Sequence, residues 1–299
     1  MSYTGMRRAI SVKGIILAAG TGTRLYPMTY PVCKPLLPIY DKPMIYYPLD
    51  VLLQAGIRDI LVITPPHGEM EAFRKLLGDG SDLGVSISYK EQPVARGIAD
   101  ALILGEEFIG GDRVCLVLGD NIFFSPRIGE SLAQAVSNDT GATIFGYYMD
   151  DPRPFGVVEF DREGNVLSLE EKPREPRSNY IVPGLYFYDG QVCEIAKNLA
   201  PSARGELEIT DVNIEYMDRG QLKVALLDKD FTWFDAGTAD SLLNAAAGIK
   251  RLQEENRRYI ACIEETAWRK GFITTEQKDA VGERMKTTLY GRYLLSLRP

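Results

Sequence analysis

Histidine occurs once in this chain, as His67 in a Pro65-Pro66-His67-Gly68 stretch. A lone imidazole excludes metal sites built from several histidines and leaves general-base chemistry to carboxylates, or to a reaction needing no base. Cysteine is also sparse. Cys33, Cys115, Cys193 and Cys262 are scattered with no CxxC pair, so zinc and dithiol readings lack their ligand spacing. Cys33 adjoins Lys34, whose charge could lower its pKa, but a small filler is the expected role. No apolar run reaches the length of a membrane-spanning helix. The stretch Met1–Val12, with Arg7 and Arg8, lacks the apolar segment of a secretory signal, so a cytoplasmic location is expected. Positive charge is in deficit as well: 34 Lys and Arg face 41 Asp and Glu, for a net charge of −7. Nucleic-acid-binding domains are usually basic, so that partner class is disfavoured. A nucleotide is not excluded, because a local basic cluster can sit in an acidic protein.

The 299 residues, 45% hydrophobic and 25% charged, fit an ordinary globular chain with room for about two domains. The most informative stretch is Gly14-Ile15-Ile16-Leu17-Ala18-Ala19-Gly20-Thr21-Gly22-Thr23-Arg24-Leu25. Its apolar half reads as a strand buried on both faces. Its glycine-rich half can turn tightly and bring backbone N–H groups to a phosphate, with Arg24 as a fixed cationic fork. A P-loop would need a lysine after Gly22, and a dinucleotide fingerprint a third glycine where Leu25 stands. Neither is present.

Four prolines between Tyr26 and Pro38 forbid a regular helix there and predict an extended loop carrying Lys34. A helix is expected from Pro43 to about Ala55, a strand over Asp59–Ile63, a helix over Glu69–Leu77 and a strand over Val85–Tyr89. The turn Glu91–Gly97 leads into a helix from Ile98 to about Glu106, and the strand Val114–Leu118 ends in Gly119-Asp120-Asn121. This alternation demands a mostly parallel sheet with helices on both faces. Ligands of such sheets bind beyond the carboxyl ends of the strands, where both the Gly20–Arg24 loop and Asp120 fall. Asp120 is a candidate ligand for phosphate-bound magnesium, with Ser125 left to cap the next helix.

Beyond residue 150 the pattern changes. Strands are expected at Phe155–Phe160, Asn165–Leu169 and Gly184–Tyr188, with a turn at Asp161–Gly164. Glu171 and Lys172 at a strand end suit a sugar phosphate, though a solvated ion pair is the plainer reading. Helices follow over Gln191–Asn198 and from a Thr210 cap to about Arg219, then a strand over Leu222–Leu227. Phe231–Thr238 is expected to close the sheet, with Asp235 as a second metal carboxylate. From Thr238 to about Arg258 a helix presents Leu242, Ala246, Ile249 and Leu252 on one stripe. Short helices fill Ile260–Pro299.

The runs Leu17–Leu25, Lys34–Pro38, Tyr40–Leu49, Leu118–Asn121, Glu170–Pro173, Gly205–Asp211 and Asp235–Thr238 together resemble the sugar nucleotidyltransferase family, in its short bacterial branch that makes dTDP-glucose. The resemblance runs from about Lys13 to Leu297. It implies a Rossmann-like α/β core over residues 1–240, with a nucleotide half at about 13–125 and a sugar-phosphate half at about 140–240. Residues 241–299 form a helical subunit-contact or regulatory region. It also implies Mg2+, a homotetramer, and dTTP and glucose 1-phosphate as substrates for deoxysugar synthesis such as that of L-rhamnose. By the resemblance Arg24 and Lys34 are the catalytic cations, and Asp120 and Asp235 the metal ligands. Leu17, Ala19, Gly20, Thr21, Gly22, Thr23, Gln92, Gly97 and Gly119 fall on the nucleotide side. Gly156, Glu171, Lys172, Val182, Tyr186 and Arg204 fall on the sugar-phosphate side. An allosteric nucleotide site would lie around Trp268, Arg269 and Lys270. The chain departs from the branch at Pro35, at Phe155 and in the turn Ala95–Asp100, which leaves a UTP-using or dual-specificity sugar-1-phosphate nucleotidyltransferase as the alternative. A non-catalytic nucleotide-sugar sensor is the rival from another class; it would be expected to lose Arg24, Lys34 or one of the two aspartates, and all are present.

Overall fold

The structure is a computed structural model that describes residues 11–66, 68–162 and 164–298. His67, Glu163 of the expected turn, and the N-terminal stretch up to residue 10 lie outside the described residues. At the centre is β1 (Val12–Leu17). Ile15 and Ile16 are both fully buried, and alternation sends them to opposite faces. Ile16 joins the core cluster of Leu49, Leu52 and Val62, while Ile15 joins that of Ala101, Leu102 and Leu116. Burying an aliphatic side chain of this size contributes about 1.5–3 kcal/mol. Helices must therefore cover both sides.

The proline-rich segment after β1 holds two short 3-10 turns, Thr23–Leu25 and Lys34–Leu36, then a hairpin of β2 (Pro38–Ile39) and β3 (Lys42–Pro43). Pro43 thus ends a strand instead of opening a helix. The reason is backbone pairing: Met44 N–H donates to the Leu37 carbonyl and Ile45 N–H to the Pro35 carbonyl. That anchoring delays α1 to Tyr46–Gln54. There follow β4 (Asp59–Thr64), α2 (Glu69–Leu77) and β5 (Ser86–Glu91). α2 has the expected bounds, with Glu69 and Glu71 in its first turn and Arg74 and Lys75 in its last, each sign at its favourable dipole end. The helix expected over 98–106 is divided into α3 (Asp100–Leu104) and α4 (Glu106–Ile109), before β6 (Arg113–Leu118).

Next come β7 (Asn121–Phe124), α5 (Ile128–Ser137), β8 (Ala142–Tyr148), β9 (Gly156–Phe160), β10 (Val166–Glu171), β11 (Tyr180–Ile181) and β12 (Leu185–Tyr188). Ser125 does not cap α5; its Oγ accepts from Arg127 N–H ahead of the helix. The chain continues through α6 (Val192–Lys197), α7 (Ile209–Asp218), β13 (Leu222–Leu226) and β14 (Thr232–Asp235). It ends in α8 (Ala239–Asn256), α9 (Ile263–Arg269), α10 (Thr275–Arg284) and α11 (Leu289–Ser296). Thr210 lies inside α7, whose N-cap position is Glu208. Thr238 caps α8 in a reciprocal box with Ser241, which leaves Asp235 free of that duty. The α8 stripe buries Ala245 and Ile249, with Leu242 and Leu252 packed beside them; Ala246 is only half-buried.

The sheet has the order β10-β9-β11-β8-β12-β6-β1-β4-β5, with β13 paired to β8. It is parallel through β6-β1-β4-β5, as the alternation demands, and antiparallel where β12 joins β6 to β8. β14 does not close this sheet. It forms a separate ribbon with β7, in which Asp235 faces Asn121. Among the described residues no helix is long and apolar enough to cross a membrane.

Candidate active site

Two hollows meet along the carboxyl edge of the parallel strands. One, of about 210 Å³, is lined by Gly20, Thr21, Gly22, Thr23, Arg24, Lys34, Asp120 and Gly237. The other, of about 470 Å³, is lined by Gly156, Glu171, Lys172, Val182, Tyr186 and Arg204, together with Asp235 and Trp233. Arg24 and Asp120 line both. The six residues expected on the sugar-phosphate side therefore share one hollow, and the glycine-rich loop shares the other with both cations.

Lys34 is buried, and its Nζ lies 2.5 Å from Asp120 Oδ2. Burial alone pushes the Asp120 carboxyl upward, but the charge and hydrogen bond of Lys34, with a bond from Asn121, hold it below the usual carboxylate range. Asp235 goes the other way: burial, then the like charge of Asp120, raise it despite Lys34 and Arg24. A Cβ built on Gly237 would stand 2.8 Å from Asp235 Oδ2 and 3.0 Å from Arg24 Nη2, so that carboxylate and that guanidinium converge on one glycine. A carboxylate whose ionisation is opposed by a second one nearby fits a divalent cation, which takes one or two protein carboxylates beside phosphate oxygens and water. Among the described residues no group of three or more potential metal ligands occurs.

Glu171 is not in a merely solvated pair. Its Oε2 accepts from Thr210 Oγ1 at 2.7 Å, and its Oε1 lies 3.4 Å from Lys172 and 3.5 Å from Arg204. Arg204 also donates to both oxygens of Glu208. Lys172 adopts φ +49, a left-handed conformation unusual for a residue with a side chain. Its N–H donates to the Phe155 carbonyl at 3.0 Å.

Leu17, Ala19, Gln92, Gly97 and Gly119 line neither hollow. Gln92 is buried at the end of β5, and its Nε2 donates to Asp100 Oδ2 at 2.8 Å. Arg96 holds the other Asp100 oxygen at 2.5 Å. Gly97, at φ +102, abuts the sugar-side loop: a Cβ there would be 2.4 Å from the Leu207 carbonyl oxygen. Leu207 N–H donates to the Arg96 carbonyl and Ala99 N–H to that of Leu207, so the two loops are laced together. The lowered thiol weighed for Cys33 is corrected, since burial, with Glu69 adding to it, pushes it up to about 12, and the residue sits in the core as a small filler does. Arg269 and Lys270 line a hollow of about 160 Å³ with Asp50 and Gln54. Trp268 does not, its indole donating to Thr275.

Sequence reasoning missed Asn121, Thr210 and Trp233. Asn121 followed Asp120 in plain view, but an asparagine gains meaning only from its partners. Thr210 has the sequence context of a cap, and the pairing of β7 with β14 leaves no short-range signal.

Residues 13–251 match the family model described as Nucleotidyl transferase, and the chain belongs to that family. Within it, the chain is 54% identical to the glucose-1-phosphate thymidylyltransferase of Neisseria gonorrhoeae over 96% of this chain and 99% of that one. It is 52% identical to the Mycobacterium tuberculosis protein of the same name, again over 96% and 99%. A Bacillus anthracis glucose-1-phosphate thymidylyltransferase crystallised with a sucrose superposes with a TM-score of 0.73 at 44% identity, covering 79% of this chain and 94% of that one.

Proposed function

We propose that the chain transfers dTMP from dTTP to α-D-glucose 1-phosphate, giving dTDP-glucose and pyrophosphate, at the start of dTDP-deoxysugar synthesis. The observation that carries the reading is the junction at Arg24 and Asp120 of a cationic glycine-rich hollow with a sugar-sized one. The names and full-length similarity of the relatives support it.

A sugar-phosphate oxygen is already anionic at neutral pH, which suits a chain with one histidine. That oxygen forms a bond to the α-phosphorus as the bond to the β-phosphate oxygen breaks, and pyrophosphate carries the charge away. The protein's share is alignment and charge neutralisation. The Gly20–Thr23 loop cradles phosphate, and Arg24 and Lys34 offset the charge at the reacting phosphorus. Glu171 accepts from sugar hydroxyls; Lys172 and Arg204 hold the sugar phosphate. In this reading Gln92 and Gly97 stand on the base side, Gln92 being held there by its bond to Asp100 and lining neither hollow itself. Asp120 and Asp235 would hold Mg2+, which supplies polarisation of the phosphates. The reading includes a homotetramer, to be checked as a mass four times the 33.3 kDa chain, and regulation at the hollow beside Arg269 and Lys270.

Pyrophosphate release with glucose 1-phosphate across dTTP, UTP, CTP and GTP tests the reading. Preference for dTTP supports it; equal or faster turnover with UTP establishes the uridylyl alternative, and no release with any of them overturns both.

A further inference from the structure

Asn121 is 4% exposed, and its carboxamide has three partners. Oδ1 accepts from Gly184 N–H at 3.1 Å and from Trp233 Nε1–H at 2.7 Å, while Nδ2 donates to Asp120 Oδ1 at 2.9 Å. Backbone N–H and indole N–H can only donate. The amide therefore cannot turn over without setting its NH2 against two donors, and its NH2 is committed to Asp120. Asp120 sits between β6 and β7, outside any strand, so sheet pairing does not orient its side chain. Lys34 grips one oxygen and Asn121 the other. Of the remaining partners, Trp233 lies on β14, the strand that ends in Asp235. Gly184 follows Val182 and Pro183 in the sugar-side wall.

We propose that Asn121 is a positioning residue for nucleotidyl transfer: it fixes the plane of the Asp120 carboxylate and ties it to the strand bearing Asp235 and to the sugar-side wall. This rests on the proposed reaction, because it assigns those carboxylates a shared cation. Hydrogen bonds behind a metal ligand are worth about 10–100-fold in metal affinity or activity, whereas a purely packing role for Asn121 would leave metal affinity untouched.

The test uses the full chain with Asn121→Leu, Asn121→Ser and Trp233→Phe, and Mn2+ alone as a spectroscopic probe of binding without turnover. Expected for both Asn121 variants are Mn2+ affinity reduced about tenfold or more and kcat lowered about 10–100-fold, with a raised KM for glucose 1-phosphate. Trp233→Phe removes one tether and keeps the bond to Asp120, so a smaller loss of Mn2+ affinity is expected. Should both Asn121 variants fail to fold, Trp233→Phe decides. A folded Asn121 variant, or in that case Trp233→Phe, with Mn2+ affinity and kcat within about twofold of the parent overturns the inference. A parent chain that neither binds Mn2+ nor releases pyrophosphate overturns the underlying reaction instead.

Discussion

Lys34 Nζ and Asp120 Oδ2 meet at 2.5 Å with the lysine buried, so the cation proposed to neutralise phosphate charge also holds the aspartate below the usual carboxylate range. Removing one changes the other. In Lys34→Met the burial that raises Asp120 loses its main counterweight. The acidic limb of the kcat/KM profile is then expected to move to higher pH, with kcat down by about 10²-fold or more. Folding is linked to the same pair. A depressed carboxyl stabilises the fold above its unfolded pKa, and that share is lost as pH falls through the folded one. In Lys34→Met that share is already missing at neutral pH, so the melting temperature should be lower there and fall less than the parent's on acidification. An unmoved acidic limb would contradict this coupling.

Arg24 faces both hollows, while its neighbour Leu25 anchors the turn in the core. Arg24→Ala is therefore expected to fold normally and to lose about 10²-fold in kcat. Steady-state turnover beside a melting curve separates the two effects.

Asp235 carries the opposite shift, raised first by burial and then by Asp120. Its ionised form is costlier in the fold than in the unfolded chain, so this group's contribution becomes unfavourable as pH rises through that window. Asp235→Asn should melt slightly higher than the parent at neutral pH without metal, yet lose activity about 10²-fold or more. A lower melting point would show that the carboxylate is structurally needed.

Gly97 couples the two loops. Gly97→Ala meets the Leu207 backbone at 2.4 Å and is strained at φ +102, so the loop carrying Arg204 must shift. A raised KM for glucose 1-phosphate is expected alongside any change for dTTP. A KM change confined to dTTP would show that the lacing does not transmit.

The parallel half of the fold was legible because its signals are local: buried apolar strands, dipole-matched α2, and an aspartate just past a strand. Asp120 and Arg24 could be placed at one edge by topology alone. The ribbon of β7 and β14 could not, since Phe123 meets Trp233 across more than a hundred residues and each strand is only four residues long. Side chains that serve other side chains were invisible for a related reason. Thr210 reads as a cap until Glu171 stands beside it, and the direction of the shift at Cys33, with a lysine beside it in sequence, is settled only by its burial.

The scattered cysteines have a practical corollary. Cys33, Cys115, Cys193 and Cys262 are all buried, and burial raises every thiol, Cys193 to about 11, Cys33 to about 12, and Cys115 and Cys262 well above the ordinary thiol range. Thiolate is the species that alkylates, so the native protein is close to blank toward maleimides. A single cysteine at Val94, exposed on the turn beyond Gln92, would take a fluorophore selectively and report movement of that turn without any native thiol having to be removed.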